Sequence, residues 1–214
     1  MLMRFFIHLY GLISVIWPVP LRVVWPGVVL LGAWVVLAPF DAVLSRYGLS
    51  AFVLSQVIVL SALMWGNLPA ALARLGKRES SAYATKMMTY ILGFHVGLIG
   101  LLLWLNEPLL CQRVLTGGLF LRGILMVIGL AGNRAVMDNV APKDEAEWCD
   151  SQRRHYVMVK VMVCLGLMAV NEALIAQGSL SIWITFAAFL WIVMHALECM
   201  LLYLTYPFGP PDRQ

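Results

Sequence analysis

Apolar runs long enough to cross a bilayer recur along this chain, separated by short clusters of proline, glycine and charged residues. A helical span needs about 20 apolar residues, with about 17–25 tolerated. Six stretches meet that length: 24–44, 50–68, 87–106, 115–132, 156–176 and 180–206. Backbone polar groups in hydrocarbon must be satisfied within their own segment, so these stretches are expected to be helices. The short alternating segments of an outer-membrane barrel are absent. The pattern predicts an all-α, polytopic transmembrane bundle, with 1–214 a single integral membrane domain.

Punctuation supports the boundaries. Pro26 suits a first helical turn, where its missing N–H is harmless. Asn106-Glu107-Pro108 and Gly132-Asn133-Arg134 read as helix stops, and Gln177-Gly178-Ser179 as a tight turn. Trp17, Trp25, Trp65, Trp104 and Trp183 fall near predicted ends, where indole rings favour the interface.

The N-terminal apolar run, 5–17, is about 20 Å of helix, short for a span, and Pro18 and Pro20 stop it. Residues 1–22 are therefore expected to lie in the interface, with Arg4 and His8 near water. The alternative is a seventh, short span. No small-residue cleavage motif follows, so the segment is expected to stay in the mature chain.

Composition strengthens the membrane reading. Hydrophobic residues make up 62% and charged residues 12%, against about 45–50% and about 25% in soluble domains. The +4 net charge sits mostly in loops, which points to membrane orientation and away from nucleic acid. With the N-terminus inside, eleven of the fifteen Lys and Arg residues fall on the inner side. Arg46 and Arg113 fall outside, and Arg122 and Lys160 lie within spans. This bias predicts both ends on the cytoplasmic side, and the compact spans and loops suggest a bacterial inner membrane.

The outer loops are short, and the larger inner loops cover about 69–86 and 133–155. In the second, Pro142 followed by acids and then bases predicts a solvated helix running into the fifth span. Cys111, Cys149, Cys164 and Cys199 have no metal-finger spacing and read as free thiols.

Ionisable groups at membrane depth mark function or tight pairing. Counted from the inner end, His95, Cys164 and Glu198 lie about 12 Å deep, His195 about 16 Å, Cys199 about 10 Å and Lys160 about 6 Å. His95 and His195 are candidate axial ligands of a b-type haem. His195, Glu198, Cys199 and Cys164 are a candidate metal set, since the first three share one helix face. The bland alternative pairs Glu198 with Lys160 and leaves the cysteines as packing. Nearer the outer face, Arg122 and Glu172 are expected to form a buried ion pair beside Asn171. Gly93, Gly97 and Gly100 make a stripe suited to close helix packing.

No metalloprotease, nucleophile-elbow, phosphate-loop or dinucleotide motif is present. Three functions follow as expectations. The first is a non-catalytic subunit or assembly protein packing against other membrane proteins or itself. The second is a small transporter or channel using intramembrane carboxylates, and the third a haem- or quinone-linked redox subunit.

Overall fold

The computed structural model describes residues 10–14, 16–17, 19–78, 81–141 and 150–205, with backbone alone for 67–78, 81–85, 87, 135 and 139. Expectations for Arg4, His8, Cys149 and a helix starting at Pro142 lie outside the described residues. Among the described residues there are helices and turns and no strand. In chain order they are α1 (Leu21–Leu37), α2 (Asp41–Leu44), α3 (Ala51–Arg78), α4 (Ser81–Leu105), α5 (Pro108–Leu130), α6 (Arg134–Val140), α7 (Asp150–Gln177) and α8 (Leu180–Thr205). Five helical segments are long and apolar enough to cross a membrane: Leu21–Tyr47, Met88–Leu105, Pro108–Leu130, Asp150–Gln177 and Leu180–Thr205. A shorter apolar stretch, Ala51–Gly66, stands where the second span was expected. The protein is an all-α integral membrane protein.

Several boundaries differ from expectation. The first span starts at Leu21, so Pro26 lies inside α1, beyond its first turn. The fourth starts at Pro108 instead of 115, because the polar Gln112 and Arg113 are absorbed into its first turns. The stops behave as predicted. Asn106 has φ 48°, and Gly132 and Gly178 have φ 113° and 73°. This left-handed region is open to glycine and tolerated by asparagine.

Contacts gather the chain into two units, Trp25–Arg113 and Met1–Val24 with Val114–Gln214. In the first, Pro39 forbids continuation of α1, and Ala38–Phe40 and Ser45–Tyr47 form 3-10 turns on either side of α2. This segment supplies a cap for α3. Asp41 Oδ1 accepts from the Ala51 amide at 2.8 Å, Asn106 Oδ1 from the Ser50 amide at 3.0 Å, and Ser50 Oγ from the Phe52 amide at 3.2 Å. The opening amides of a helix have no partner within it, and three side chains supply one here. Ala51, Phe52 and Val53 are consequently able to be fully buried, with Trp34 edge-on to the Phe52 ring.

In the second unit α7 and α8 pack together after the turn at Gly178. Their valine and leucine stripes meet α5 in a core of Leu119, Val159, Val163, Leu167, Leu190 and Met194. A smaller core gathers Met126, Ala141, Val157 and Val161 beneath α6. Gly11, in the N-terminal helical turn, lies against Tyr203 of α8, whose hydroxyl is 2.5 Å from where a Cβ would stand.

Candidate functional site

The polar side chains of the second unit form three tiers along α5, α7 and α8. Towards the α7–α8 turn is a hydrogen-bonded chain with one direction. Trp183 Nε1 donates to Asn171 Oδ1 at 2.8 Å, Asn171 Nδ2 donates to Thr116 Oγ1 at 2.8 Å, and the Thr116 hydroxyl donates to Glu172 Oε1 at 2.6 Å. Trp183 and Asn171 are fully buried. Trp183 was expected at the interface, and the structure corrects that. Its partner lies inside the fold, whereas Trp17, Trp25, Trp65 and Trp104 are exposed.

The middle tier holds Arg122, Glu198 and Met194. Arg122 Nη2 reaches Glu198 Oε1 at 3.4 Å, and Nη1 reaches Met194 Sδ at 3.5 Å. The expected pairings are thus exchanged: Arg122 meets Glu198, while Glu172 takes the Thr116 hydroxyl. The cause is the early start of α5. From Arg122 to Leu130 is about 12 Å of helix, and from Glu198 to Thr205 about 10 Å, so the two share a depth. The Lys160 ammonium stands 4.1 Å from the centroid of the Tyr156 ring, one turn earlier, in place of an ion pair with Glu198.

His195 and Cys199 touch, Sγ lying 3.8 Å from both ring nitrogens, as their spacing on one face predicts. Glu198 turns to Arg122 instead, and Cys164 is buried on α7. Among the described residues, no group of three His, Cys, Asp or Glu side chains is placed to hold a metal ion. His95 belongs to the other unit from His195. Its Nε2 is buried with no hydrogen-bond partner among the described residues, as is Nε2 of Gln56 in the same unit.

The third tier was missed in the sequence. Arg153, 4% exposed, donates from Nε and Nη2 to the Ala141 carbonyl at 3.0 and 2.6 Å and from Nη2 to Asp138 at 2.6 Å. Asp150, 85% exposed, lies 3.6 Å from Nη1. Arg154 Nη2 donates to the Leu130 carbonyl at 3.1 Å, and the His155 ring shares a 2.7 Å hydrogen bond with Thr205. A basic run after a loop reads as a solvated face, and only burial distinguishes Arg153 from its neighbour.

The two upper tiers are polar groups held inside an otherwise apolar unit. No family model, no curated protein and no solved structure matches this chain.

Proposed function

We propose that this protein is a non-catalytic integral membrane subunit that docks through α4 against the helices of other membrane proteins. The observation that carries this reading is the glycine stripe. Gly93, Gly97 and Gly100 are exposed, and a Cβ built on any of them meets nothing within 4 Å. At about 100° per residue the three glycines share one face with Trp104, and Tyr90 and Val96 lie about 60° to either side. Trp104 is 82% exposed and Tyr90 61%. A glycine facing lipid contributes no side-chain contact, whereas against another helix it lets two backbones approach closely. The stripe faces away from the α3–α4 pairing, so its natural occupant is a helix from outside the chain.

Blue-native electrophoresis of mild detergent extracts checks this. The wild type is expected to migrate within a larger complex, and Gly93→Ile with Gly97→Ile to release it as a monomer, since two branched side chains fill the notch. A wild-type protein that is monomeric in its own membrane extract would remove the proposal.

We place the protein in a bacterial inner membrane with both ends cytoplasmic. The Lys and Arg distribution supports this orientation, and the contact of Gly11 with Tyr203 near the end of α8 fits the two lying on one side of the membrane. In a cysteine-free background, Gln177→Cys is expected to react with an impermeant maleimide in intact spheroplasts. Arg134→Cys should react only after permeabilisation. The opposite result would invert the topology.

A further inference from the structure

The Arg122–Glu198 contact is poor for an ion pair. Charge-assisted N–H···O bonds run about 2.7–2.9 Å and are often bidentate with arginine, and here one Nη meets one oxygen at 3.4 Å. The other guanidinium donor in use points at a sulfur. The remaining donors of Arg122, Nε included, and Glu198 Oε2 have no partner among the described residues. Arg122 is 33% exposed along its side chain, so the guanidinium reaches the surface of the unit, while Glu198 at 13% lies beneath it. Lys160 adds a second cation whose contact is an aromatic ring rather than an oxygen. One core brings these three charges together: Val159 and Val163, which flank Lys160 on α7, pack with Met194, whose sulfur Arg122 meets at 3.5 Å.

Two cations and one carboxylate leave the cluster with one uncompensated positive charge. In hydrocarbon neither that charge nor unfilled N–H donors are tolerated without a partner. The partner must be an oxygen anion of single charge, and Glu198 Oε2 adds the requirement of a hydroxyl or N–H donor beside it. Depth fixes the source. α5 spans about 34 Å against about 30 Å of hydrocarbon, so Arg122 lies within about 10 Å of the hydrocarbon edge on the side of Leu130. A long side chain that snorkels and a locally thinned leaflet close that gap.

We propose that Arg122, Lys160 and Glu198 form a headgroup site for an anionic phosphodiester lipid in the leaflet nearest Leu130 and Thr205. The phosphate meets Arg122 and Lys160, and a headgroup hydroxyl donates to Glu198. A hydroxyl-bearing phosphodiester of single negative charge brings the cluster to neutrality, whereas a zwitterionic headgroup leaves the extra positive charge standing. This face is distinct from the glycine stripe on α4, so the site stands or falls independently of the docking role.

Native mass spectrometry of the purified full chain in neutral detergent tests it, with phosphatidylglycerol, phosphatidylcholine and glycerol 3-phosphate as probes. One equivalent of phosphatidylglycerol is expected to bind, at least about fivefold more tightly than phosphatidylcholine, and Arg122→Gln and Lys160→Gln should each weaken it about fivefold. Lys160→Gln leaves the Arg122–Glu198 contact intact, so it reports on the site even if Arg122→Gln fails to fold. Equal binding of the two lipids, or wild-type binding by Lys160→Gln, overturns the proposal. Glycerol 3-phosphate binding as tightly as phosphatidylglycerol would assign the site to a soluble phosphate ester and overturn the lipid assignment.

Discussion

Replacing Asn171 with alanine is expected to destabilise the protein by roughly 2–3 kcal/mol, as the buried Trp183 indole and the half-buried Thr116 hydroxyl lose their bonds together. The Asn171 amide links the Trp183 indole to Thr116 in the chain that ends on Glu172. Hydrogen bonds between helices in membranes average only about 0.6 kcal/mol, with a maximum near 1.7, because the unfolded helices find other partners. Two features put this one above the average. Asn171 serves as acceptor and donor at once, and Trp183 is fully buried, so its N–H reaches neither water nor headgroups. Unfolding in mixed micelles by titration with sodium dodecyl sulfate, followed by circular dichroism, measures the loss. A double-mutant cycle with Trp183→Phe should return a coupling near 1 kcal/mol. A single-variant shift under about 0.5 kcal/mol would mean that the chain carries no stability.

A comparable loss, about 2–4 kcal/mol, is expected for Arg153→Ala. The guanidinium closes the end of α6 by giving two donors to the Ala141 carbonyl. Ala141 is 2% exposed, beside Met126, Val157 and Val161. Without Arg153 that carbonyl is stranded at a helix end, where unsatisfied carbonyls already accumulate. The Asp138 pair adds less, because its carboxylate is 45% exposed and solvent takes over much of its solvation. Arg153→Lys is expected to recover little, since a single ammonium cannot reproduce the planar fork, and Asp150→Asn should be nearly silent. Hydrogen exchange provides a local readout: the amides of α6 should lose protection in Arg153→Ala while those of α8 keep theirs. Uniform protection in the variant would contradict the assignment.

The candidate site was partly legible in the residues. Arg122, Glu172, Asn171, Lys160 and Glu198 all lie on α5, α7 and α8 of one unit. Their pairing was wrong for a reason of about 10 Å. Beginning the fourth span at 115, after the polar Gln112 and Arg113, put Arg122 in the outer half beside Glu172. The helix begins at Pro108 and takes both residues into its opening turns. A proline at the first position is as strong a start signal as the polar pair is a stop signal, and hydropathy alone favoured the latter. Trp183 failed similarly: its distance from a helix end suggested the interface, and its burial followed from a hydrogen-bond partner one helix away.

Composition and run length determined that this chain is helical and lives in a membrane, because a hydrocarbon solvent leaves few alternatives for backbone groups. The turns at Asn106, Gly132 and Gly178 were equally determined, since few residues accept a left-handed backbone. Tertiary structure alone decided which polar side chains meet. A residue's angle on its own helix follows from the sequence, but its depth moves with the helix start, and the rotation of each helix about its axis is set by how its neighbours pack. That rotation exposed the glycines of α4 and buried Arg153 beside exposed Asp150, and with α5 starting at Pro108 Arg122 came to the depth of Glu198.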